Sequence, residues 1–254
     1  MILAVDAGNS NIVLGCMEGL EIRHTLRLKT DRAMSAAGYT VTLQAALAQA
    51  GFSIAGFEGG ILSSVVAAVT EPLRQALSAL LSGPVLVVGK TAKTTLPLCI
   101  DQPETIGADL IAAAEGALAQ YAPPLVLIDM GTATTFSVLD KSGAFLGGAI
   151  APGVQLGAEA LTQRTGLPMT ELSAPQSPLS HSTTDCLCSG IIYGAAAMVD
   201  GMLDRLETAL GTPVTAIATG GLARCVIPHC RRPVTLDDQL LLRGLAVMYR
   251  REMT

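Results

Sequence analysis

Two short polar turns, each opened by an aspartate after an apolar run, are the parts of this sequence best suited to chemistry. The first is VDAGNSN, in which Asp6 precedes a glycine, two asparagines and a serine. The second is IDMGTATT, in which Asp129 precedes a glycine and three threonines. Glycine lets the backbone approach a phosphate group closely, and backbone N–H groups can then bind its oxygens. A carboxylate beside such a turn can hold a hydrated Mg²⁺, so the two turns together predict a clamp that embraces a polyphosphate from both sides.

The two turns recur at corresponding places in the chain. Each is followed by a second apolar strand pattern and then by a charged turn with a glycine. The offset between the two aspartates, 129 − 6 = 123, is close to half of the 254 residues. An Asp-x-Gly turn is common by itself. Its repetition near the start of each half favours two similar halves, 1–118 and 119–254, with one phosphate-binding turn in each.

Strands and helices alternate in both halves, which predicts α/β layers. The runs GILSSVVAA at 60–68 and PVLVV at 84–88 are typical of buried strands, and apolar residues four apart over 104–121 predict a helix. A strand over 214–218 leads into the glycine pair Gly220-Gly221, which is typical of a tight turn. The other predicted elements are helices over 39–51, 73–81, 191–210 and 240–251, and a surface loop over 170–182.

Composition limits the class of partner. The chain is 50% hydrophobic and 15% charged with a net charge of −5, which gives enough apolar surface for a core and no basic face for nucleic acid. No apolar run reaches the ~18 residues of a membrane span. The first residues lack the basic segment of a signal peptide, and the six cysteines show no disulfide pattern. We therefore expect a cytoplasmic protein with reduced thiols and no membrane or nucleic-acid partner.

Two other motifs are weaker. Gly89-Lys90-Thr91 resembles the end of a P-loop, but the first glycine of that motif would fall at Pro84. The segments CLC at 186–188 and CVIPHC at 225–230 lack Cys-x-x-Cys spacing, which disfavours a zinc site.

Seven motifs, taken in order, resemble the type III pantothenate kinases of the actin-like ATPase and sugar kinase superfamily. They are DAGNSN (6–11), SSVV (63–66), PETIGAD (103–109), DMGTATTF (129–136), GGAIAPGV (147–154), SGIIYG (189–194) and ATGG (218–221). The resemblance covers essentially the whole chain. It implies two halves of the actin-like, ribonuclease H-like α/β fold and a homodimer. It also implies transfer of phosphate from ATP to pantothenate, which gives 4′-phosphopantothenate for coenzyme A synthesis.

The same resemblance implies roles for single residues and a second cofactor. Asp109 is the expected general base for the pantothenate hydroxyl, Asp6 the expected Mg²⁺ ligand, and Asp129 a ligand of a monovalent cation, K⁺ or NH₄⁺. The expected ATP-binding residues are Asp6, Ala7, Gly8, Asn9, Ser10, Asn11, Gly131, Thr132, Gly220 and Gly221. The expected substrate-binding residues are Ile100, Gly107, Ala108, Asp109, Leu110, Thr183 and Thr184.

The acceptor-side residues depart from the family pattern. Leu110 stands where the family has an arginine that anchors pantothenate, and Ile100 stands where it has an aromatic residue, usually tyrosine. A hydrogen bond to a charged group contributes ~1.5–3 kcal/mol, so losing the arginine alone predicts roughly 10- to 100-fold weaker recognition of an anionic acceptor. Two alternatives are therefore kept, a nucleotide-binding regulator and a kinase for a less anionic alcohol.

Two acceptor-side residues also fit a purely structural role. Asp109 could be a first-turn carboxylate that complements the dipole of its helix. Thr183 could be a loop hydroxyl or the N-cap of the helix that follows it.

Overall fold

The computed structural model describes residues 1–168 and 171–254 as two compact units. Unit 1 comprises Met1–Leu96, Asp101–Gln120 and Gln239–Thr254, and unit 2 comprises Pro97–Ile100 and Tyr121–Asp238. The predicted halves, 1–118 and 119–254, follow a single division of the chain. The compact units differ from them because the last helix belongs to unit 1 and the short segment Pro97–Ile100 to unit 2.

The described residues alternate strands with helices, as the sequence predicted. The strands are β1 (Ile2–Ala7), β2 (Asn11–Glu18), β3 (Glu21–Lys29), β4 (Gly59–Ser64), β5 (Val85–Val87), β6 (Leu125–Met130), β7 (Ala133–Leu139), β8 (Phe145–Pro152), β9 (Thr215–Thr219) and β10 (Thr235–Leu236). The helices are α1 (Ala36–Gln49), α2 (Ala67–Leu80), α3 (Ala108–Leu118), α4 (Val154–Thr165), α5 (Thr183–Leu210), α6 (Ala223–Val226) and α7 (Leu240–Glu252).

The sheet of unit 1 has the order β3-β2-β1-β4-β5. Strands β1, β2 and β3 form an antiparallel meander, while β4 pairs parallel to β1 and β5 parallel to β4. Alternate side chains of β1 enter two different cores, with Leu3 and Val5 in the core of α1 and α2, and Ile2 and Ala4 in the core of α3 and α7. The central strand is thus buried on both faces, which explains its nearly continuous apolar sequence.

Helices α3 and α7 pack backbone against backbone. A Cβ added at Gly244 would lie 1.7 Å from the carbonyl oxygen of Ala112, and one at Gly116 would lie 2.0 Å from that of Leu240. Nearby, the buried Glu115 carboxylate accepts a hydrogen bond from Arg251 over 3.0 Å and another from the Thr94 hydroxyl over 2.8 Å. These contacts fix the position of α3, the helix that begins beside Asp109.

The sheet of unit 2 repeats the topology of unit 1. Its order is β10-β9-β6-β7-β8, with β6 flanked by an antiparallel hairpin partner, β7, and a parallel partner, β9. Strand β1 has the corresponding neighbours, β2 and β4. The prediction of two similar α/β halves is therefore confirmed.

Helix α5 is the main core helix of unit 2. Ile192, Ala196, Val199 and Leu203 on one side of it lie in the core of that unit. By length and composition it is also the one helix among the described residues that could cross a membrane. The core helix of a soluble protein meets the same criterion, and the burial of one side of α5 fits that explanation.

Several predicted boundaries were wrong by a few residues. Helix α5 begins at Thr183 rather than at residue 191, and α2 begins at Ala67 inside the predicted strand 60–68. The predicted helix over 104–121 is shorter, because a separate 3₁₀ turn occupies Pro103–Thr105 before α3 begins. Within the predicted loop 170–182, residues 171–182 form neither helix nor strand, and residue 170 lies outside the described residues.

Candidate active site

The first phosphate-binding turn links β1 to β2 and is held by its own backbone and by the end of β3. The N–H of Gly8 donates to the carbonyl of Asn11 over 2.9 Å. The hydroxyl of Thr30 donates to the carbonyl of Gly8 over 2.7 Å, and Arg32 donates to the side chain of Asn9 over 3.0 Å. Asn9 and Ser10 are exposed at the tip of this turn. Of the predicted residues, Asp6 and Ala7 thus end β1, Gly8 to Ser10 form an ordered turn with an exposed tip, and Asn11 begins β2.

The second phosphate-binding turn links β6 to β7 and is enclosed by two glycines from later in unit 2. The N–H of Gly131 donates to the carbonyl of Ala133 over 3.0 Å. Gly220 has a φ of +97°, and a Cβ there would lie 2.5 Å from Oδ1 of Asp129. A Cβ at Gly153 would lie 2.2 Å from the carbonyl oxygen of Thr132. Gly220 therefore packs directly against the Asp129 turn and Gly221 follows it in the chain, while their contact with a nucleotide stays a prediction.

Asp129 lies in a row of oxygen-bearing side chains across the sheet of unit 2. It pairs with Thr135 on β7 and with Thr219 on β9, and residues at paired positions project from the same face of a sheet. The hydroxyl oxygen of Thr135 is buried and, among the described residues, has no hydrogen-bond partner. A carboxylate beside an unsatisfied buried hydroxyl is a donor set that suits a hard cation.

The predicted base, Asp109, lies in the first turn of α3. This position also fits the alternative role, a carboxylate that complements the dipole of the helix. Its side chain is half-buried, and its Oδ1 accepts a hydrogen bond from the N–H of Leu110 over 2.8 Å. Gly107 is the N-cap residue of α3, and a Cβ there would lie 2.3 Å from Oδ1 of Asp109. The predicted substrate-binding turn Gly107–Leu110 is therefore compact, and a side chain at position 107 would displace the Asp109 carboxylate.

Unit 1 brings the predicted base, Asp109, and the first predicted phosphate-binding turn to the same edge of its sheet. Val65 follows β4, and its N–H donates to the carbonyl of Ala7 at the end of β1 over 3.2 Å. A Cβ at Gly107 would lie 3.6 Å from the side chain of the same Val65. The Gly107–Leu110 turn and the Asp6 turn thus lie on either side of one residue. Gly107 and Ala7, 100 positions apart along the chain (107 − 7 = 100), thus both lie beside Val65.

The remaining acceptor-side residues lie in unit 2. Ile100 is partly buried, and Thr183 and Thr184 are exposed in the first turn of α5. The N-cap of α5 is Ser182, whose hydroxyl accepts from the N–H of Asp185 over 3.1 Å, so the N-cap alternative for Thr183 was wrong. Thr183 instead lines a groove of about 470 Å³, together with Leu161, Leu167, Cys186, Leu187, Gly190 and Ile191.

Burial raises the pKa of Asp109 above its ordinary value of 3.8, because desolvation disfavours the charged carboxylate more than the Leu110 N–H stabilises it. Between the ordinary and the raised pKa the folded protein binds more protons than the unfolded chain. The free energy of unfolding should therefore fall as pH rises through that interval. Urea unfolding from about pH 4 to pH 7 checks this, and Asp109→Asn should remove the decrease. Identical pH profiles for the two proteins would contradict it.

Sequence reasoning missed the contacts that position the two aspartates. Ser63 donates a hydrogen bond to Asp6, and Gly153 packs on the Asp129 turn. Both residues stood within quoted motifs, SSVV and GGAIAPGV, but a contact across 57 residues depends on strand register. No group of three or more His, Cys, Asp or Glu side chains in residues 1–168 and 171–254 is placed to hold a metal.

Comparison with known proteins agrees with this geometry. The family model described as type III pantothenate kinase matches residues 2–205. A type III pantothenate kinase from an Exiguobacterium strain is 38% identical over 99% of both chains. Among solved structures, a Baf family protein from Campylobacter jejuni aligns with a TM-score of 0.64 at 17% identity, over 99% of this chain and 98% of the other. A ROK family glucokinase from Streptomyces griseus, in complex with glucose and AMPPNP, aligns with a TM-score of 0.57 at 15% identity over 98% of both chains.

The solved structures are less than 25% identical to this chain, so their similarity establishes the fold alone. That fold is the one of the actin-like ATPases and ROK sugar kinases. The sequence matches establish more, because they extend over nearly the full length of the chain and of its relatives. The chain belongs to the type III pantothenate kinase family.

Proposed function

We propose that this chain phosphorylates pantothenate with ATP and Mg²⁺ to give 4′-phosphopantothenate, the first step of coenzyme A synthesis. Curated relatives named type III pantothenate kinase are 34–38% identical to it along their full length. The observation that carries the proposal is the placement of Asp109. This half-buried carboxylate with a raised pKa stands at the edge of the sheet where the Asp6 turn also lies.

In the proposed mechanism, Asp109, Asp6 and Asp129 have different roles. One Asp109 oxygen accepts the proton of the primary hydroxyl of pantothenate while the hydroxyl oxygen bonds to the γ-phosphorus of ATP. The bond from that phosphorus to the β,γ-bridging oxygen breaks, and ADP leaves. The Asp6 turn and the Asp129 turn each bind phosphate oxygens, through backbone N–H groups and the exposed Ser10 and Thr132. Bound to Asp6 and the phosphates, Mg²⁺ would offset the charge that develops during transfer. The protein's own contribution is mostly positioning and electrostatic stabilisation.

A monovalent cation, K⁺ or NH₄⁺, is the second proposed cofactor, with Asp129 as its ligand. The support is the row that Asp129 forms with Thr135 and Thr219, together with the unsatisfied Thr135 hydroxyl among the described residues. Dependence of turnover on K⁺ at constant ionic strength tests this proposal, and equal rates in Na⁺ and K⁺ would oppose it.

We also propose that the chain works as a cytoplasmic homodimer. Unit 2 exposes several large apolar side chains that lie on or near β8, α4 and α5. They are Ile150 at 79% exposure, Leu179 at 75%, Leu156 at 47% and Leu161 at 41%. Large contiguous apolar patches are typical of association sites, and these four residues are the contacts that we propose for the dimer. Sedimentation velocity of the purified chain tests the proposal, and a single monomer boundary at micromolar concentration would rule it out. All six cysteines are free thiols, in agreement with a reducing compartment.

Pantothenate-dependent release of ADP, with the product identified by mass spectrometry, tests the function. Mg²⁺ and K⁺ should be present, and pantothenate should be raised to high millimolar concentration. We expect saturation with a KM roughly 10- to 100-fold above that of a relative with the family arginine, because Leu110 offers no hydrogen bond to the carboxylate. ATP binding without turnover would favour a regulator, and turnover with a neutral alcohol alone would favour a different acceptor. Leu110 and Ile100 are the residues that keep both alternatives open.

A further inference from the structure

Ser63 makes the contact that is best placed to control the Asp6 carboxylate. It lies near the end of β4, is 0% exposed, and donates a hydrogen bond from its hydroxyl to Oδ1 of Asp6 over 3.0 Å. The parallel register of β1 and β4 pairs these two residues, so their side chains leave the same face of the sheet. A hydroxyl held in a packed interior restricts the torsion of the carboxylate that it binds and favours its charged form.

Unit 2 repeats this arrangement at the corresponding place. Asp129, like Asp6, is the fifth residue of a six-residue strand, and it pairs with Thr219 on its parallel neighbour β9. Thr219 is also buried, at 9% exposure. In both units, therefore, a buried hydroxyl residue stands beside the aspartate that opens the turn. The parallel neighbour strands, GGILSS and TAIAT, differ in sequence, so the recurrence indicates a role tied to the aspartate and not to the packing of one strand.

We propose that Ser63 is a positioning residue whose hydroxyl orients the Asp6 carboxylate toward the divalent ion of the bound nucleotide. This inference rests on the proposed ATP·Mg²⁺ function and adds to it a residue outside both turns. Without the hydroxyl, the carboxylate would sample other torsions. Mg²⁺ would then gain less from binding to it, because this ion demands near-ideal octahedral geometry. Binding of the nucleotide itself in the absence of metal should be unaffected.

Calorimetric titration with AMPPNP, in Mg²⁺ and separately in EDTA, separates these two quantities. We expect Mg²⁺ to tighten AMPPNP binding in the unmodified protein, and Ser63→Ala to reduce that tightening by about tenfold. Its affinity in EDTA should stay within about twofold. Ser63→Cys nearly keeps the side-chain volume but has only a weak donor, so it should show the same loss of Mg²⁺ coupling. It provides the test if Ser63→Ala folds poorly. Ser63→Thr keeps a hydroxyl and should retain the Mg²⁺ coupling, since threonine occupies the corresponding position 219 in unit 2.

Ser64→Ala is the matched control. Ser64 is the next residue of β4, and its hydroxyl bonds to Val66 and Thr70 rather than to Asp6. Full Mg²⁺ coupling in Ser63→Ala and Ser63→Cys would overturn the role of Ser63. An equal loss of coupling in Ser64→Ala would also overturn it, because the effect would then belong to the strand. If the unmodified protein shows no Mg²⁺ coupling, the proposed ATP·Mg²⁺ site itself fails, which distinguishes the two failures.

Discussion

Asp109→Asn should reduce pantothenate phosphorylation by roughly 10²- to 10⁴-fold, the usual contribution of a positioned general base. The substitution keeps the shape of the side chain, and its amide oxygen can still accept the hydrogen bond from the N–H of Leu110. What it removes is the ability to take a proton from the acceptor hydroxyl. The defect should appear in kcat, with affinity for AMPPNP within about twofold of the unmodified protein, because the phosphate-binding turns are unchanged.

The measurement is ADP release under saturating ATP and pantothenate, with AMPPNP affinity determined separately by calorimetry. Glu104→Gln provides a control of equal chemistry, since Glu104 is an exposed carboxylate in the short 3₁₀ turn just before α3. It should retain nearly full activity. A kcat for Asp109→Asn within about threefold of the unmodified protein would exclude Asp109 as the base and leave it as a helix-terminal carboxylate.

The sequence predicted those parts of the fold that depend on neighbouring residues. Apolar runs identified β1, β6 and β9 to within a residue or two, and the repeat of the aspartate turns identified the two similar halves. Boundaries set by capping were harder. Helix α5 begins at Thr183 because Ser182 and Asp185 cap it, and its first turn has too few apolar residues to reveal a helix by periodicity.

The sequence allowed the residues of the candidate site to be proposed one by one, but it did not give their arrangement. The aspartates, glycines and threonines of the turns could be named from the motifs, since each motif is local. The contact between Ser63 and Asp6 could not, because it depends on the register of two strands 57 residues apart. The conformation of Gly220 could not be predicted either. Its positive φ and its close approach to Asp129 follow from how β9 ends beside β6. Such contacts are set by packing across the sheet, which a single sequence does not record.

The packing of α3 on α7 leads to the largest expected effect on stability, from Gly244→Ala. The added Cβ would lie 1.7 Å from the carbonyl oxygen of Ala112 and 2.8 Å from the nitrogen of Gly116. Both neighbours are backbone atoms of a helix, so no side chain can rotate away, and the two helices must separate by more than an ångström. We expect a loss of about 3 kcal/mol or more in the free energy of unfolding, the upper end for overpacked cores.

The same displacement of α3 should also lower the rate of phosphoryl transfer, because α3 carries Asp109 in its first turn. Misplacing a catalytic group by about 1 Å can cost on the order of 100-fold in rate. The folded fraction of Gly244→Ala should therefore turn over more slowly than the unmodified protein, while Gly194→Ala should not. Gly194 lies in the interior of α5 with nothing within 4 Å of an added Cβ, so alanine there should stabilise by about 0.5–1 kcal/mol. Urea midpoints and kcat for both variants check this, and a Gly244→Ala midpoint equal to that of the unmodified protein would show that the α3–α7 contact is looser than the structure indicates.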